Sequence, residues 1–230
     1  MRLDRFVCKS TQLTKIEAIQ RINSGEVSVN SDIVTDEMAQ VHENNSIILL
    51  SGSKLEARGF RYIIMHKPAG TICSNIDEFY PSLFNLLNVN NISELHIVGR
   101  LDADTTGMVL ITDDGRWSFN ITMPTRECSK VYRVGLSRAI ADDVATKFKE
   151  GIQLQGEQQL TRPAILDVIN PKEVRLTITE GKFHQIKRMF SAVGNRVVSL
   201  HREAIGSVNL DVEVGKWRYL TDCEVQSFAK

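Results

Sequence analysis

Short runs of β-branched and aromatic residues recur along most of this 230-residue chain and constrain its fold more than any other feature. Each run has the length and composition of a single β-strand. Helical patterns are few, and they do not alternate with the strands as the βαβ units of a doubly wound sheet require. We therefore predict an α+β fold whose mixed, mainly antiparallel sheet is flanked by helices. The runs are LHIV, MVLIT, KVYRVGL, AILDVI, VRLTIT, RVVSLH and KWRYL, and RYIIMHKPAG supplies a further strand that ends in a Pro-Gly turn.

Three helices are predicted among these strands. The first covers residues 142–150 and ends at Gly151, and the second covers residues 183–193 and ends at Gly194. The third follows Thr221, where TDCE has the spacing of a capping box.

The first fifty or so residues have the pattern of a separate, small α/β unit. TKIE, beginning at Thr14, again has the capping-box spacing, and the helix that follows it ends at Gly25. EVSVN and DIV predict two short strands joined by a tight turn at Asn30 and Ser31, and SIILL predicts a third. The helical part carries basic residues that can form one basic face for RNA, namely Arg2, Arg5, Lys15 and Arg21.

A polar stretch, SGSKLEARG, separates this unit from the rest of the chain. It combines glycine, serine and charge without periodicity, which is typical of a linker. We place the boundary there, so that residues 1–58 hold the small module with its linker and residues 59–230 hold a second, larger domain.

The charge balance is neutral, with 28 Lys plus Arg and 28 Asp plus Glu. A nucleic-acid partner would therefore be held by local basic surfaces, of which residues 182–202 supply a second. The four cysteines form no C-x-x-C pair, which argues against a zinc site and a secreted disulfide scaffold. No apolar run approaches the roughly 20 residues that span a bilayer, and the start of the chain lacks a signal core. We expect a soluble, cytoplasmic protein without a membrane partner.

The most polar loop, GRLDADTTG, interrupts two apolar runs. Asp102 directly follows Leu101 after a predicted strand, whereas Asp104 precedes two threonines and a glycine, which is ordinary turn chemistry. Asp113 and Asp114 in TDDG are likewise expected in a turn and at a helix N-cap. A magnesium site built from these aspartates is an alternative, but no histidine or glutamate accompanies them at ligand spacing.

The stretch EGKFHQIKRMF places basic residues beside an apolar helical stripe. In a helix over residues 183–193, the apolar residues Phe183, Ile186, Phe190 and Val193 share one side. Lys187 flanks that stripe, where an ammonium is costly unless it extends to solvent or meets a carboxylate. Arg188 points further away and is free to face solvent or phosphate.

Three histidines, His66, His184 and His201, are possible catalytic groups by residue type. No G-x-S-x-G elbow accompanies them, so structural or RNA-contacting roles are the simpler interpretation.

Four motifs in order carry a resemblance to a known family. GRLDADTTGMVLITDDG, preceded by YIIMHKPAG and followed by KVYRV and VRLTITEGKFHQIKRMF, is similar to the RsuA-type ribosomal RNA pseudouridine synthases. The N-terminal unit resembles the S-four-like RNA-binding domain that precedes the catalytic domain in that family. The likeness covers nearly the whole chain.

This resemblance implies roles for individual residues. Asp102 matches the catalytic aspartate, Tyr132 the tyrosine that packs against the uracil ring, and Lys187 the basic residue paired with the aspartate. Arg100 matches the side chain that enters the space left by the flipped nucleotide, and Leu176 the apolar position bordering the pocket. We add Lys67 of KPAG and Arg188 to the expected substrate-binding residues.

The chain departs from the family pattern at three places. Thr14-Lys15 stands where relatives often have Ser-Arg, and Ser31 where they have glycine. Both changes bear on RNA binding. Lys187 stands where many relatives have arginine, which keeps the charge but loses a bidentate fork.

The implied reaction isomerises a uridine within RNA: the bond from ribose to the ring nitrogen breaks and the base rejoins through a ring carbon. It is redox-neutral, so we expect no cofactor and no metal. It needs one ionised carboxylate, which either attacks the anomeric carbon or removes a neighbouring ribose proton. An ammonium about 4 Å away attracts a carboxylate by about 4 kcal/mol at an effective dielectric near 20, which offsets desolvation of the acid.

The leading hypothesis is therefore a monomeric enzyme that flips and isomerises one uridine of small-subunit ribosomal RNA, naked or in an assembling subunit. A catalytically silent, RNA-binding ribosome-assembly factor is the alternative. A third hypothesis, magnesium-dependent phosphoryl chemistry, predicts loss of activity with a chelator.

Overall fold

A computed structural model describes residues 1–42 and 45–229. It divides into two compact units, the first from Met1 to Phe60 and the second from Arg61 onward. The division lies close to the boundary that we placed after residue 58. Each unit has an apolar core of its own.

The first unit contains two helices and a four-stranded antiparallel sheet of order β2-β1-β3-β4. The elements are α1 Leu3–Ser10, α2 Lys15–Asn23, β1 Val27–Val29, β2 Asp32–Ile33, β3 Ile48–Leu50 and β4 Ser53–Lys54. The capping box at Thr14 is confirmed, because its side chain accepts a hydrogen bond from the Glu17 backbone and the Glu17 side chain accepts one from the Thr14 backbone. Asn30 and Ser31 both have positive φ, as the predicted tight hairpin turn requires.

Two features of this unit differ from the sequence analysis. Helix α1 was not predicted, although Leu3, Phe6 and Val7 bury one side of it. The predicted linker over residues 51–59 is wrong at its start, since β4 pairs there with β3 through a turn at Ser51 and Gly52. β4 is too short and too exposed to show the alternation that identifies a strand.

The second unit is built on a nine-stranded sheet of order β13-β5-β7-β11-β8-β10-β9, with β6 paired to β7 and β12 to β11. The predicted mixed, mainly antiparallel sheet is confirmed, with β7 and β11 pairing in parallel. Each predicted run corresponds to a strand, and β12 was not predicted. The strands are β5 Tyr62–Lys67, β6 His96–Val98, β7 Thr106–Thr112, β8 Lys130–Leu136, β9 Ile165–Asn170, β10 Glu173–Ile178, β11 Val197–Ile205, β12 Val208–Asn209 and β13 Trp217–Tyr219.

Both faces of the central strands are covered by apolar side chains. Along β7, Val109 and Ile111 enter one core cluster, whereas Met108 and Leu110 enter another. Since successive strand residues point to opposite faces, the sheet lies between these two clusters. This double burial explains why the run around MVLI is continuously apolar.

Helices and short 3₁₀ segments complete the unit. They are α3 Gly115–Thr122, α4 Val144–Glu150, α5 Gln185–Ala192 and α6 Asp222–Gln226, with 3₁₀ turns at Leu83–Leu86, Ile92–Glu94 and Pro124–Arg126. Asp114 caps α3 as expected, and Thr221 forms the predicted capping box of α6. Asp113 instead accepts hydrogen bonds from the backbone and side chain of Arg61.

Helix α5 begins later than predicted, which changes the position of Phe183. His184 has left-handed backbone angles, φ 46° and ψ 33°, so the helix starts only at Gln185. The Gln185 side chain accepts from the Lys182 backbone and donates to buried Glu180, which fixes this turn. Phe183 therefore lies outside the apolar stripe, is 74% exposed and stacks on the His184 ring.

Within residues 1–42 and 45–229, no helix is long and apolar enough to cross a membrane.

Candidate active site

One buried lysine, Lys67, donates hydrogen bonds to the backbone of the loop between β6 and β7. Lys67, the last residue of β5, is fully buried, and its ammonium donates to the carbonyl oxygens of Pro68, Ala103 and Thr105 at 3.1, 3.2 and 2.8 Å. These three acceptors use all three of its protons. The Lys67 side chain therefore positions the backbone of the loop that carries Asp102, and its contact with substrate stays a prediction.

Lys187 of α5 joins the two aspartates of this loop. Its ammonium lies 2.9 Å from Asp102 Oδ2 and 2.8 Å from Asp104 Oδ1. Asp102 is one-third exposed and Asp104 is 71% exposed. The predicted proximity of Lys187 to Asp102 is thus present, and the turn residue Asp104 takes part in the same ion pair. One cation serves two carboxylates.

This arrangement shifts the pKa values of Lys187 and Asp104. Partial burial by itself would lower the pKa of Lys187, but the hydrogen bonds to Asp104 and Asp102 outweigh burial and raise it. The hydrogen bond from Lys187 likewise holds the pKa of Asp104 below its ordinary value, against the smaller opposing effect of burial. Lys187 therefore stays protonated throughout the physiological range.

Asp102 opens onto a cavity of about 180 Å³. Its buried lining includes Tyr132, Arg202, Lys130 and Ile178, and its more exposed lining includes Arg100, Lys187 and His184. The volume lies below the roughly 300 Å³ at which pockets for drug-sized ligands begin, so the cavity suits a group the size of one nucleobase. A second cavity of about 450 Å³ shares Arg100, Asp102 and His184 and adds Phe183.

Tyr132 lies on β8 with only 7% of its surface exposed. Its hydroxyl accepts a hydrogen bond from Arg202 at 3.3 Å, and the Arg202 guanidinium carbon lies 5.9 Å from the ring centroid. The ring is thereby fixed at the wall of the cavity.

Arg100 lines both cavities and is exposed. In the described part of the chain, its guanidinium has no hydrogen bond and no ion pair. It is therefore available to an incoming group.

Two further residues expected to bind substrate lie away from the cavity. Leu176 is fully buried in β10 opposite Tyr132, and the cavity is lined instead by Ile178, two residues further on the same face. Arg188 donates to Glu157 and to the carbonyl oxygens of Gln155 and Phe183. Its guanidinium joins the surrounding loops, and the contact of Arg188 with substrate stays a prediction.

Lys130, Arg202 and His184 also line the cavity, although none of them was a predicted site residue. Lys130 precedes Tyr132 by two positions in KVYRV, so strand alternation already places both on one face. Arg202 was visible only as part of a basic segment. His184 approaches Asp102 Oδ1 with Nε2 at 3.4 Å, a contact that depends on its left-handed backbone.

The four basic residues predicted to bind RNA in the first unit differ in their surroundings. Arg2 forms an ion pair with Asp4, and Arg21 forms one with Glu26. Arg5 and Lys15 are exposed on α1 and α2. Their role in RNA binding remains a prediction.

Among the residues described, no group of three or more His, Cys, Asp or Glu side chains is arranged to hold a metal ion.

Comparisons with known proteins show which family the chain belongs to. The family model described as RNA pseudouridylate synthase matches residues 61–192. A relative from Vibrio cholerae, named ribosomal small subunit pseudouridine synthase A, is 50% identical over the full length of both chains. The relative of the same name from Escherichia coli K12 is 43% identical over 99% of each chain. A crystal structure of a pseudouridylate synthase is 39% identical, with a TM-score of 0.72 over 99% of each chain. The chain belongs to the RNA pseudouridylate synthase family.

Proposed function

We propose that this protein isomerises one uridine of small-subunit ribosomal RNA to pseudouridine. The full-length relatives bear the name of that activity. The observation that carries the proposal is a carboxylate, Asp102, that opens onto a nucleobase-sized cavity with an ammonium 2.9 Å away.

Asp102 is the proposed catalytic residue. The reaction requires an ionised acid close to the ribose, and the Lys187 ammonium donates a hydrogen bond to the Asp102 carboxylate that fixes its orientation. Lys67 hydrogen-bonds the backbone of the loop that carries Asp102, which fixes the position of the Asp102 carboxylate. Attack on the anomeric carbon and removal of a ribose proton both remain open to it.

Tyr132 and Arg100 are proposed to hold the flipped nucleotide. Extruding a base costs a few kcal/mol, and stacking on an aromatic ring returns roughly 1–3 kcal/mol. The fixed ring of Tyr132 is suited to that contact. The unoccupied guanidinium of Arg100 is suited to the space that the base leaves in the RNA stack.

Residues 1–58 are proposed to bind RNA as a separate module, and residues 59–230 to carry catalysis. Lys15 is exposed there, whereas Arg2 and Arg21 already have acidic partners. Arg5 is also exposed. Phosphate contacts should make the logarithm of the RNA affinity fall linearly with the logarithm of the salt concentration. Replacing Lys15 by Met should reduce that dependence more than replacing Arg21.

We further propose that the enzyme acts as a monomer in the cytoplasm. Every residue that lines the cavity comes from one unit of one chain. The four cysteines are thiols rather than disulfides, which suits a reducing compartment. Analytical ultracentrifugation tests the oligomeric state, and fractionation of the cells tests the location.

The decisive experiment incubates the protein with unmodified small-subunit ribosomal RNA, naked and in assembling particles, and maps pseudouridine along it. We expect one site to be modified by the wild-type protein, in excess EDTA as well, and none by Asp102→Asn. If the wild-type protein leaves every uridine unchanged on both substrates while still binding them, the silent assembly factor is the better description. Loss of activity in EDTA would favour the magnesium-dependent alternative.

A further inference from the structure

Two buried cations line the cavity without a carboxylate partner. Arg202 is 2% exposed and Lys130 is 8% exposed. Within the described residues, neither side chain has an acidic group within 4.0 Å. Charged side chains are rarely buried unless they are paired, because desolvation of an isolated charge is costly.

The two side chains share one face of the sheet. Lys130 and Tyr132 both lie on the buried face of β8, two residues apart. Arg202 of β11 lies opposite Tyr132 in the strand register. Burial lowers the pKa of Lys130, and the Arg202 charge adds a smaller effect in the same direction, against an opposing effect of Cys128. The sheet therefore concentrates positive charge at one wall of the cavity.

Both cations retain hydrogen-bond donors that no acceptor in residues 1–42 and 45–229 uses. Arg202 donates to the carbonyl oxygens of Met108 and Gly99 and to the Tyr132 hydroxyl, which occupies three of its five N–H groups. Lys130 donates to the carbonyl oxygens of Ile121 and Cys128, which occupies two of three. The remaining protons and the uncompensated charge are suited to an anion with several acceptor oxygens.

We propose that Arg202 and Lys130 bind the uracil ring as an anion after its bond to ribose has broken, and thereby stabilise the leaving group. This inference rests on the proposed isomerisation. It assigns both residues to the reacting base, whereas Lys187 acts on the aspartate.

The movement of charge in the reaction supports this assignment. The bond between C1′ and N1 breaks with its electron pair left on N1. If Asp102 attacks C1′, a carboxylate oxygen supplies the new bond to C1′. If Asp102 instead takes the C2′ proton, the C–H electron pair becomes a C1′–C2′ double bond. In either case one negative charge leaves Asp102 and spreads over N1, O2 and O4 of the ring.

Rejoining reverses that movement. C5 of the ring bonds to C1′, which frees the carboxylate or returns the proton to C2′, and the C5 proton is then lost while N1 gains one. The ring carries its negative charge after the C1′–N1 bond has broken and before the C1′–C5 bond has formed. Cations beside the ring therefore favour this intermediate over the bound uridine. This differential binding is what accelerates a reaction.

The test measures binding of free bases to the full chain by calorimetry or by chemical-shift titration at neutral pH. The probes are uracil, which is neutral, 5-nitrouracil, which is an anion of similar shape, and inorganic phosphate. We expect the anionic base to bind at least about tenfold more tightly than uracil, from charge attraction at short range. Asp102→Asn should increase that preference, because in the intermediate the charge has left the aspartate.

Variants of the two cations assign the effect. Lys130→Met should reduce the preference for 5-nitrouracil to about threefold or less, and Lys130→Arg should restore it. Arg133→Met is the matched control, because Arg133 lies on the opposite face of β8 and pairs with Glu173 and Glu203. It should leave the preference unchanged. Circular dichroism of each variant, Arg202→Met included, checks the fold. Arg202→Met needs this check because it also removes the hydrogen-bond donors from the carbonyl oxygens of Met108 and Gly99.

Equal or weaker binding of the anion than of uracil overturns the proposal, as does the absence of detectable binding of 5-nitrouracil to wild type and Asp102→Asn. Competition by inorganic phosphate at similar concentrations would reassign the two cations to a backbone phosphate. These outcomes are independent of RNA mapping: a base-anion preference without pseudouridine formation would contradict only the proposed function.

Discussion

The Lys187 ammonium lies 2.9 Å from the Asp102 carboxylate across 85 residues of sequence. Helix α5 supplies the cation, and the loop between β6 and β7 supplies the acid. The contact is partly exposed, so its strength is that of a screened ion pair rather than of a deeply buried one.

Replacing Lys187 by Met should lower kcat/KM by at least about tenfold, or about 1.4 kcal/mol, because the Asp102 carboxylate loses the hydrogen bond that orients it. Lys187→Arg keeps the charge and should retain most of the activity. The values of kcat/KM for the three proteins on the same RNA make the comparison. Activity of Lys187→Met within a few-fold of wild type would show that the lysine does not act on the aspartate.

Asp104 competes with Asp102 for the same ammonium, yet it is 71% exposed. We expect Asp104→Asn to keep activity within a few-fold of wild type and to change stability by about 1 kcal/mol or less, as is usual for exposed pairs. Asp102→Asn should abolish pseudouridine formation. Single-turnover rates of the two variants on the same RNA make the comparison, and equal losses in both would mean that the two carboxylates act together.

Glu224 gives a prediction for stability against pH. The hydrogen bond from Arg218, with smaller help from Thr221 and against some opposing burial, lowers the pKa of Glu224 to about 2. The folded-state pKa is thus below the unfolded value, so the stabilisation is present at neutral pH and is lost as pH falls from about 4.5 towards 2. Glu224→Gln should cost about 1 kcal/mol at neutral pH after allowance for solvent screening.

Urea unfolding of wild type and Glu224→Gln at a series of pH values measures this difference. The two curves should converge on the acid side. A difference that stays constant down to low pH would mean that Glu224 stabilises α6 through its shape or neutral hydrogen bonds alone.

Gly107 allows β7 to approach β11 where the two strands pair in parallel. Its φ is +109°, and a Cβ at this position would collide with the backbone of Arg202. Gly107→Ala should therefore destabilise the second unit by about 2–4 kcal/mol and displace Arg202 from the cavity. Thermal unfolding and binding of 5-nitrouracil measure the two effects.

Gly115 is the matched control for this substitution. It lies in the first turn of α3, has no positive φ and has no atom within 4 Å of an added Cβ. Gly115→Ala should be neutral or stabilising by up to about 1 kcal/mol. If both alanine variants behave alike, close approach of β7 and β11 is not what requires glycine.

The sequence by itself determined the strands, the helix caps and the position of the polar loop. Period, composition and capping are local properties, so Thr14, Asp114 and Thr221 could be assigned as caps before any contact was known. The family motifs directed attention to Asp102, Tyr132 and Lys187. The first residue of α5 was not predicted correctly, because it depends on the contact between Gln185 and Glu180.

The tertiary structure decided which charged groups meet in the cavity. The buried Lys67 ammonium binds backbone carbonyl oxygens. Ile178 lines the cavity in place of Leu176, and Arg202 forms part of its wall. These outcomes depend on strand order and register, and a shift of one residue moves a side chain to the other face of a sheet. Such pairings between distant segments leave no local pattern, because their energy arises only once the strands that carry them are side by side.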